Sequence, residues 1–551
     1  MEESEQIQQI DLTNEEYSYR SPGFWAAFGS LCAATFASAL DSCIVGVAIP
    51  TISQEFGSTS NEGFWIGTSF LLSSVVFQPI FGSLSEIFGR KIFLLFSIFT
   101  FFFASILCAT AKNATWLIGA RTAQGVGGSG IIVLSEIIVQ DIVPMRDRGI
   151  YNGIMGLVWA LGTVVAPIIG GAFTTNVSWR WCFWINLPIC AIAFVLCIFF
   201  LHLHLDHENT KTRLSRVDYG GIVLFSMSIV SFLIGLTWGG TMYAWNSPNV
   251  LVPLILGVFG VGALVFYEIH VPTEPMIPFR MFKNRTTSAG FYITFAHGAV
   301  LWCLIYYWPI YFQGALGHSA LLSGVDCLPM TLTVAPFAAL GGIICATTKR
   351  YLRLGQISVV VMTVGVGVAT IIQYDSNTAK RVGILIPGGI GAGLIFSTIM
   401  FGVQSAQEDK FVAIATSTAV FFRSFGQVFG VAIGGVIFSN EWKKQMIKFG
   451  SQIPEQFMVS ANDAAGFASR VNELPLSLFP YFAMSFTNCL RVILYFCTAL
   501  CGSMVLIVVF MKNYSLDRGF TSNQRYQNKN EQIEEGKKGI DGFQIGAELD
   551  I

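Results

Sequence analysis

The sequence predicts an all-α polytopic membrane protein that crosses the bilayer fourteen times. Of its 551 residues, 53% are hydrophobic and only 12% are charged, whereas about a quarter of the residues are charged in a typical soluble chain. About 20 apolar residues span the hydrocarbon core, and fourteen stretches of that kind are separated by short polar breaks. The net charge of −1 gives no basic excess, so no nucleic-acid partner is expected.

The apolar stretches follow one another over most of the chain. The predicted spans are 24–50, 63–84, 91–110, 115–140, 149–172, 179–203, 217–237, 250–270, 290–313, 322–346, 354–373, 382–403, 412–438 and 486–511. Residues 1–22 form a polar N-terminal tail, and residues 512–551 form a polar tail that we expect to be disordered. The long gap 440–485 is an outer loop, which we expect to lie on the membrane surface.

The distribution of basic residues predicts the orientation. The loops and termini on one side carry 21 Lys and Arg residues, and the loops on the other side carry 8. The positive-inside rule therefore places both termini in the cytoplasm. We expect the plasma membrane, with a vacuolar or vesicle membrane as the alternative. The outer loops contain glycosylation sequons at Asn113 and Asn176.

A charged turn separates the second and third spans in the segment GSLSEIFGRK, residues 82–91. Gly82 allows a close approach of helices, and Gly89 permits a tight turn. Glu86 precedes Arg90 by four residues, a spacing that suits an ion pair. On charge alone, the segment is equally consistent with a basic cluster that ends a span.

An arginine lies inside the fourth span, where the hydrocarbon core makes a charge costly unless it faces an acid or a polar cavity. Arg121 is that residue, and Asp41, the acid of the first span, lies at matching depth. We expect the two to pair, either as a proton-coupling site or as a structural lock between helices. Gln124 and Gln427 lie close to Arg121 and Arg423, respectively, and are candidates to face a cavity.

Glycines mark two spans that are eight spans apart. The fifth span carries Gly162, Pro167, Gly170 and Gly171, and the thirteenth carries Gly426, Gly430 and Gly434. Such residues permit close packing and a kink. The repeat predicts two six-helix bundles, 24–203 and 271–511, joined by the linker 204–270 with two inserted helices, and a substrate site between the bundles.

The remaining polar and aromatic residues within the spans give weaker indications. Trp302, Tyr306 and Tyr307 are consistent with an aromatic cavity or with the interfacial belt. We expect Arg423 to reach the headgroups or to lock helices, and Glu136 to pair with Arg146 or Arg148. We expect His297 to be a hydrogen-bonded core residue. The 12 Cys lie mostly within apolar runs and predict neither disulfides nor a metal site.

The charged turn resembles the loop signature of the major facilitator superfamily, with Glu86 where Asp is commoner. The resemblance implies that Glu86, Arg90 and Asp141 form a charge relay that latches the outward-facing state.

The patterns around Asp41 and Arg121 resemble those of the fourteen-span drug:proton antiporters of that superfamily, in which the arginine motif is implicated in proton transfer. The segment 156–171 is similar to the antiporter signature, with Ala166 in place of the usual glycine, and 179–188 is typical of the subfamily. The similarity is closest to fungal pumps of toxins and other secondary metabolites.

The resemblance implies proton-coupled export of small hydrophobic organic compounds by a monomer. No metal or other cofactor is expected, and no nucleotide-binding motif is present. The alternatives are a siderophore or basic amino-acid carrier of the same superfamily and, more remotely, a polytopic membrane enzyme. The low count of six His disfavours an enzyme.

Overall fold

The computed structural model describes residues 21–516 except 59, 145–146, 205–208, 241 and 462. The N-terminal tail up to residue 20 and the C-terminal tail from residue 517 therefore lie outside the described residues, as does Arg146.

Fourteen helices in the described part of the chain are long and apolar enough to cross a bilayer, which confirms the predicted fold class. We number them α1 to α14. They are α1 Pro22–Phe56, α2 Ser60–Phe88, α3 Arg90–Ala109, α4 Ala114–Ile142, α5 Arg148–Asn176, α6 Trp181–Phe200, α7 Tyr219–Trp238, α8 Pro248–His270, α9 Arg285–Leu316, α10 Ala320–Thr348, α11 Tyr351–Ala369, α12 Thr378–Ser405, α13 Asp409–Lys448 and α14 Phe479–Val508.

Four helix ends differ from the predicted spans by five residues or more. Helix α1 continues six residues farther, to Phe56. Helix α9 starts five residues early because the side chain of Asn284 caps it by accepting a hydrogen bond from the amide of Thr286. Helix α13 continues to Lys448, and α14 already begins at Phe479. The extra turns of α13 are polar on one side, so their average hydropathy is low and the sequence predicted a loop there.

The segment between α13 and α14 packs on protein rather than forming only a surface loop. Trp442 is fully buried against Phe486 at a ring distance of 4.7 Å, and its indole donates to the carbonyl of Val459. Further along, the amide of Asn472 donates to the carbonyl of Gly317 at the end of α9. The segment therefore covers the ends of α9 and α14.

The first residues of the C-terminal tail are also ordered. The amide of Lys512 donates to the hydroxyl of Thr286, and Leu516 is buried. Residues 512–516 thus pack against the helices, although the sequence predicts disorder from 512.

Two glycine seams hold equivalent helix pairs together. Helix α5 packs on α1, where a Cβ added at Gly170 would lie 2.8 Å from the carbonyl oxygen of Ile44. Helix α13 packs on α9, where a Cβ at Gly430 would lie 2.1 Å from the carbonyl oxygen of Ala299. Both seams therefore need glycine for backbone contact.

The other predicted glycines and the proline occupy related positions. Gly162 meets Ala39 on α1, Gly426 meets the backbone of Phe295 on α9, and Gly434 meets the Tyr307 ring. Gly171 has only an ordinary contact, 3.9 Å from Val47 to an added Cβ. Pro167 lies inside α5.

We call α1–α6 the N-terminal bundle and α9–α14 the C-terminal bundle, and we call the side predicted to be cytoplasmic the inner side. The two bundles meet backbone to backbone at their inner ends. A Cβ at Gly342 of α10 would lie 2.1 Å from the carbonyl oxygen of Gly149 in α5. The equivalent pair, α2 and α13, meets where Gly82 contacts Ser417. Farther outward, α5 and α10 both line a cavity.

The inserted helices α7 and α8 pack on each other through Gly257, where an added Cβ would lie 2.6 Å from the backbone nitrogen of Phe232. Helix α7 also contacts both bundles, through a ring contact of Trp238 with Trp65 on α2 and of Phe225 with Phe421 on α13.

Candidate functional site

A cavity lies between the two bundles. It contains about 1540 Å³ of space that no atoms fill, including its opening to solvent. The exposed surface of its wall is mainly apolar, with polar side chains placed among the apolar and aromatic ones, which is typical of sites for organic ligands. The side chains of the wall that carry charge or titrate are Glu136, His297 and Arg423.

Two of the five predicted cavity residues, Trp302 and Gln427, line this cavity. The other three point elsewhere. Tyr306 is 55% exposed on the outer surface of the bundle. The hydroxyl of Tyr307 donates to the carbonyl of Val431 within the α9–α13 seam. Gln124 belongs to a buried charge network. Neighbouring positions on a helix face different ways, so residue type alone did not separate them.

The structure brings Asp41 and Arg121 together. One guanidinium nitrogen of Arg121 lies 2.5 Å from a carboxylate oxygen of Asp41, and the side chains are 1% and 0% exposed. The amides of Gln124 and Asn186 each donate to the other carboxylate oxygen at 2.8 Å. The carboxylate therefore receives donors from two helices besides its own.

Gln124 extends this network. Its side-chain oxygen accepts from Arg121 at 2.7 Å, and its amide also donates to the hydroxyl of Ser105 on α3 at 2.9 Å. The network thus ties α1, α3, α4 and α6, all of them in the N-terminal bundle.

An aromatic ring separates this network from the cavity. The guanidinium carbon of Arg121 lies 4.5 Å from the ring centroid of Phe70 on α2, a cation–π distance. Phe70 also lines the cavity, as does Ser42, the residue after Asp41. The charged pair is therefore buried but only one side chain away from the cavity.

The predicted relay residues meet at the inner end of the same bundle. Arg90 donates from Nε to Asp141 at 2.8 Å and from a terminal nitrogen to the hydroxyl of Ser85 at 3.2 Å. Glu86 is close enough to interact electrostatically with both Arg90 and Asp141. Gly89, with φ of +104°, is the single residue between α2 and α3. A left-handed φ of this kind favours glycine.

The structure corrects the expected partner of Glu136. Its carboxylate pairs with Arg423, so α4 of one bundle is joined to α13 of the other. Arg148 instead donates to the carbonyls of Val143 and Gln140. Arg423 links α13 to α4, as in the helix-locking alternative predicted for it. Which face of α4 contacts α13 depends on how the two bundles pack together. The local sequence around Glu136 carries no information about that packing.

His297 and the two sequon asparagines are the remaining predicted residues, and His297 lies in the cavity wall. His297 is buried and its ring nitrogen Nε2 hydrogen-bonds the carbonyl of Ala392 at 3.1 Å. Asn113 and Asn176 are exposed at the outer side. The side chain of Asn113 caps α4 by accepting from the amide of Trp116, and the amide of Asn176 donates to the carbonyl of Ala172.

Sequence reasoning missed two groups of partners. Asn186, which binds Asp41, lies in the segment 179–188 that was noted only as a family signature. At the outer side, Arg180 and the Trp179 indole both bind Glu55, at 2.8 Å and 2.6 Å. The hydrogen bond from Arg180 is the main reason why the pKa of Glu55 is lowered. The sequence did contain one indication of this pair, because Glu55 and Arg180 both lie at or just beyond the outer ends of predicted spans.

Comparisons with known proteins agree with this architecture. Residues 31–431 match the model of the family described as Major Facilitator Superfamily. MFS transporter L2 of Phoma sp. is 38% identical over 507 residues, covering 92% of this chain and 85% of that protein. MFS-type efflux pump LUC4 of Fusarium sp. is 38% identical over 440 residues, covering 79% and 78%. Efflux pump FUS6 of Gibberella moniliformis is 38% identical, covering 77% and 76%.

Solved structures show the same fold at low sequence identity. The proton:xylose symporter XylE aligns with a TM-score of 0.55 at 13% identity, covering 89% of this chain and 97% of that chain. The family model covers most of the chain, and a cavity lies between the two bundles. The chain therefore belongs to the major facilitator superfamily.

Proposed function

We propose that this protein exports small, largely apolar organic molecules in exchange for protons, by alternating access. Relatives at 38% identity carry the names of efflux pumps. The apolar, aromatic wall of the cavity suits cargo of this class. The closed inner ends and the cavity beyond them correspond to one of the two states that such a cycle needs.

The observation that supports the coupling is the buried Asp41–Arg121 pair beside the cavity. Protonation of Asp41 removes its charge, weakens its attraction to Arg121 and lets the network rearrange. One pH unit is worth about 1.4 kcal/mol and 100 mV about 2.3 kcal/mol, so one proton sustains a gradient of roughly 500-fold of a neutral solute.

The Arg90 cluster, which comprises Ser85, Glu86, Arg90 and Asp141, is the proposed latch of the observed state. It holds the short α2–α3 turn against the end of α4. Gly82, at the end of α2, contacts α13 of the opposite bundle. The cluster therefore shapes a surface on which the inner ends close.

We further propose that the protein works as a monomer in the plasma membrane, with both termini in the cytoplasm. The excess of 21 over 8 basic residues supports this orientation.

Efflux from cells tests the proposal. Yeast cells that express the protein are loaded with Nile red as an apolar probe, and retention is followed with and without a protonophore. We expect faster loss of the dye than in control cells, and we expect the protonophore to abolish the difference. Efflux that persists unchanged with the protonophore contradicts proton coupling, and accumulation of the dye contradicts export.

A further inference from the structure

The ion pair in the inner half of the cavity joins the two bundles. Glu136 lies six residues before the end of α4, about 9 Å from that end. Its partner, Arg423, belongs to α13. The side chains of Glu136 and Arg423 are only 18% and 10% exposed, and both line the cavity.

Other polar contacts between the bundles lie next to this pair. The hydroxyl of Thr416 donates to Gln140 at 2.9 Å, and the amide of Gln78 donates to Ser424 at 2.9 Å. Because alternating access separates the inner ends, the contact between Glu136 and Arg423 must also break once in every cycle.

The two partners respond differently to that separation. A carboxylate that is left in a largely apolar cavity can take up a proton and become neutral. A guanidinium stays charged, and an unpaired charge in such surroundings is costly. The C-terminal bundle is therefore left with a cation that faces the cavity and is free to pair with another anion.

The cavity wall is suited to an anion with an apolar body, and Arg423 is its fixed cation. Its guanidinium carbon lies 4.7 Å from the ring centroid of Phe396, which fixes one face of the group. Two turns farther along α12 than Phe396, Gln404 also lines the cavity, is 1% exposed, and has no hydrogen-bond partner for either side-chain polar atom among the described residues. Its amide is thus an unused donor. In the described lining, the only acidic side chain is Glu136.

We propose that Arg423 binds an anionic group, such as a carboxylate, of the transported molecule when the inner ends are apart. Glu136 is then the internal replacement for that group. As the inner ends close, Glu136 returns to Arg423 and displaces the cargo toward the outward part of the cavity. The cargo class is therefore apolar organic acids. This inference rests on the proposed export function and adds the chemistry of its site.

The test uses a matched pair of probes, 1-pyrenebutyrate and its uncharged amide, 1-pyrenebutyramide. Binding to the purified full-length protein is measured by fluorescence, and transport is measured in proteoliposomes. We expect the wild type to prefer the carboxylate by about tenfold, as a hydrogen bond to a charged group provides. Arg423→Gln should remove the preference, and Arg423→Lys should retain part of it. Glu136→Gln, which removes the internal competitor, should tighten carboxylate binding alone.

Two further variants keep the test decisive. The double variant Glu136→Gln, Arg423→Gln leaves no unpaired charge, so it should fold and bind both probes equally. Arg491→Gln removes a half-buried arginine of α14 that is outside the cavity lining and should keep the wild-type preference.

A wild type without carboxylate preference, or a preference that survives in the double variant, overturns the inference. Export of the amide without any role of Arg423 leaves the proposed function intact while rejecting the anion site. Failure of the wild type to move either probe outward counts against the proposed function itself.

Discussion

At the scale of single residues, the Asp41–Arg121 pair is completely buried, so each charge is stabilised mainly by the other. Breaking a buried pair by removing one partner costs about 3–5 kcal/mol, since the remaining charge is uncompensated. Arg121→Ala leaves the fully buried carboxylate of Asp41 without its cation. We expect a large fall in thermal stability together with loss of pH-dependent transport.

The control is the double variant Asp41→Asn, Arg121→Gln, which keeps hydrogen-bonding groups but no charge. It should regain much of the thermal midpoint in a melting assay and still lack proton-dependent efflux. Proton-dependent efflux in the double variant would remove the coupling role of the pair.

The outer contact of Glu55 with Arg180 predicts a pH-dependent contribution to stability. The pKa of Glu55 is lowered, chiefly by the hydrogen bond from Arg180. A lowered pKa means that the folded state favours the ionised carboxylate. The contribution is therefore present above the ordinary value near 4.3 and is lost as the pH falls through the lower folded value.

Melting curves of the wild type and Glu55→Gln at several pH values measure this contribution. The difference should be largest at neutral pH and vanish at strongly acidic pH. It should stay below about 1 kcal/mol because the side chain of Glu55 is 44% exposed. A difference that grows on acidification would be contrary to the assigned sign.

The sequence predicted some of these pairs and not others for a physical reason. Asp41 and Arg121 are charges at equal depth in hydrocarbon, so each had to find a partner inside its bundle. For Glu136, the arginines that follow in the sequence, Arg146 and Arg148, were nearer candidate partners. For Arg423, the lipid headgroups were an alternative to a partner within the protein. Their pairing follows from the docking of two bundles, which no local pattern specifies.

At the scale of helices, Gly149 and Gly342 decide how closely the inner ends approach. An added Cβ at Gly342 would lie 2.1 Å from the carbonyl oxygen of Gly149, where a backbone must shift. We expect Gly342→Ala to open the inner ends. Thiol labelling from the inner side, at a cysteine introduced at Met400 in the cavity wall, should become faster.

The matched control is Gly324→Ala on the same helix, where nothing lies within 4 Å of an added Cβ. Alanine favours helix by about 1 kcal/mol over glycine, so this variant should be neutral or slightly more stable. Equal labelling rates in the two variants would disprove the role of the contact.

The existence of the helices was easier to predict than their ends. Fourteen apolar runs are enough to identify fourteen spans, because the bilayer requires a minimum length. The ends of α13 and α14 lie beyond the hydrocarbon, where polar residues continue the helix and bury Trp442 between the two. Hydropathy carries no information about such extensions.

At the scale of the whole molecule, the Arg90 cluster is expected to set the balance between the two states. Arg90→Ala removes its contacts with Asp141 and Ser85, and the inner ends should then part more often. Labelling of the same cysteine at position 400 from the inner side should increase several-fold.

Lys91→Ala is the matched control, since it removes the adjacent positive charge, which donates instead to the carbonyl of Ile198. It should label like the parent protein. Unchanged accessibility in Arg90→Ala would exclude the latch.

The separation of the two charged sites between the halves has a consequence for diversification. The side chains around Asp41 all belong to the N-terminal bundle, whereas Arg423 and the Phe396 ring beside it belong to the C-terminal one, and Glu136 reaches Arg423 from the opposite bundle. In the proposed mechanism, the N-terminal bundle carries the proton-coupling site and the C-terminal bundle carries the residue that binds the cargo. Mutations around Arg423 can then change cargo specificity without altering proton coupling at Asp41 and Arg121. The same coupling site can therefore drive the transport of chemically different molecules.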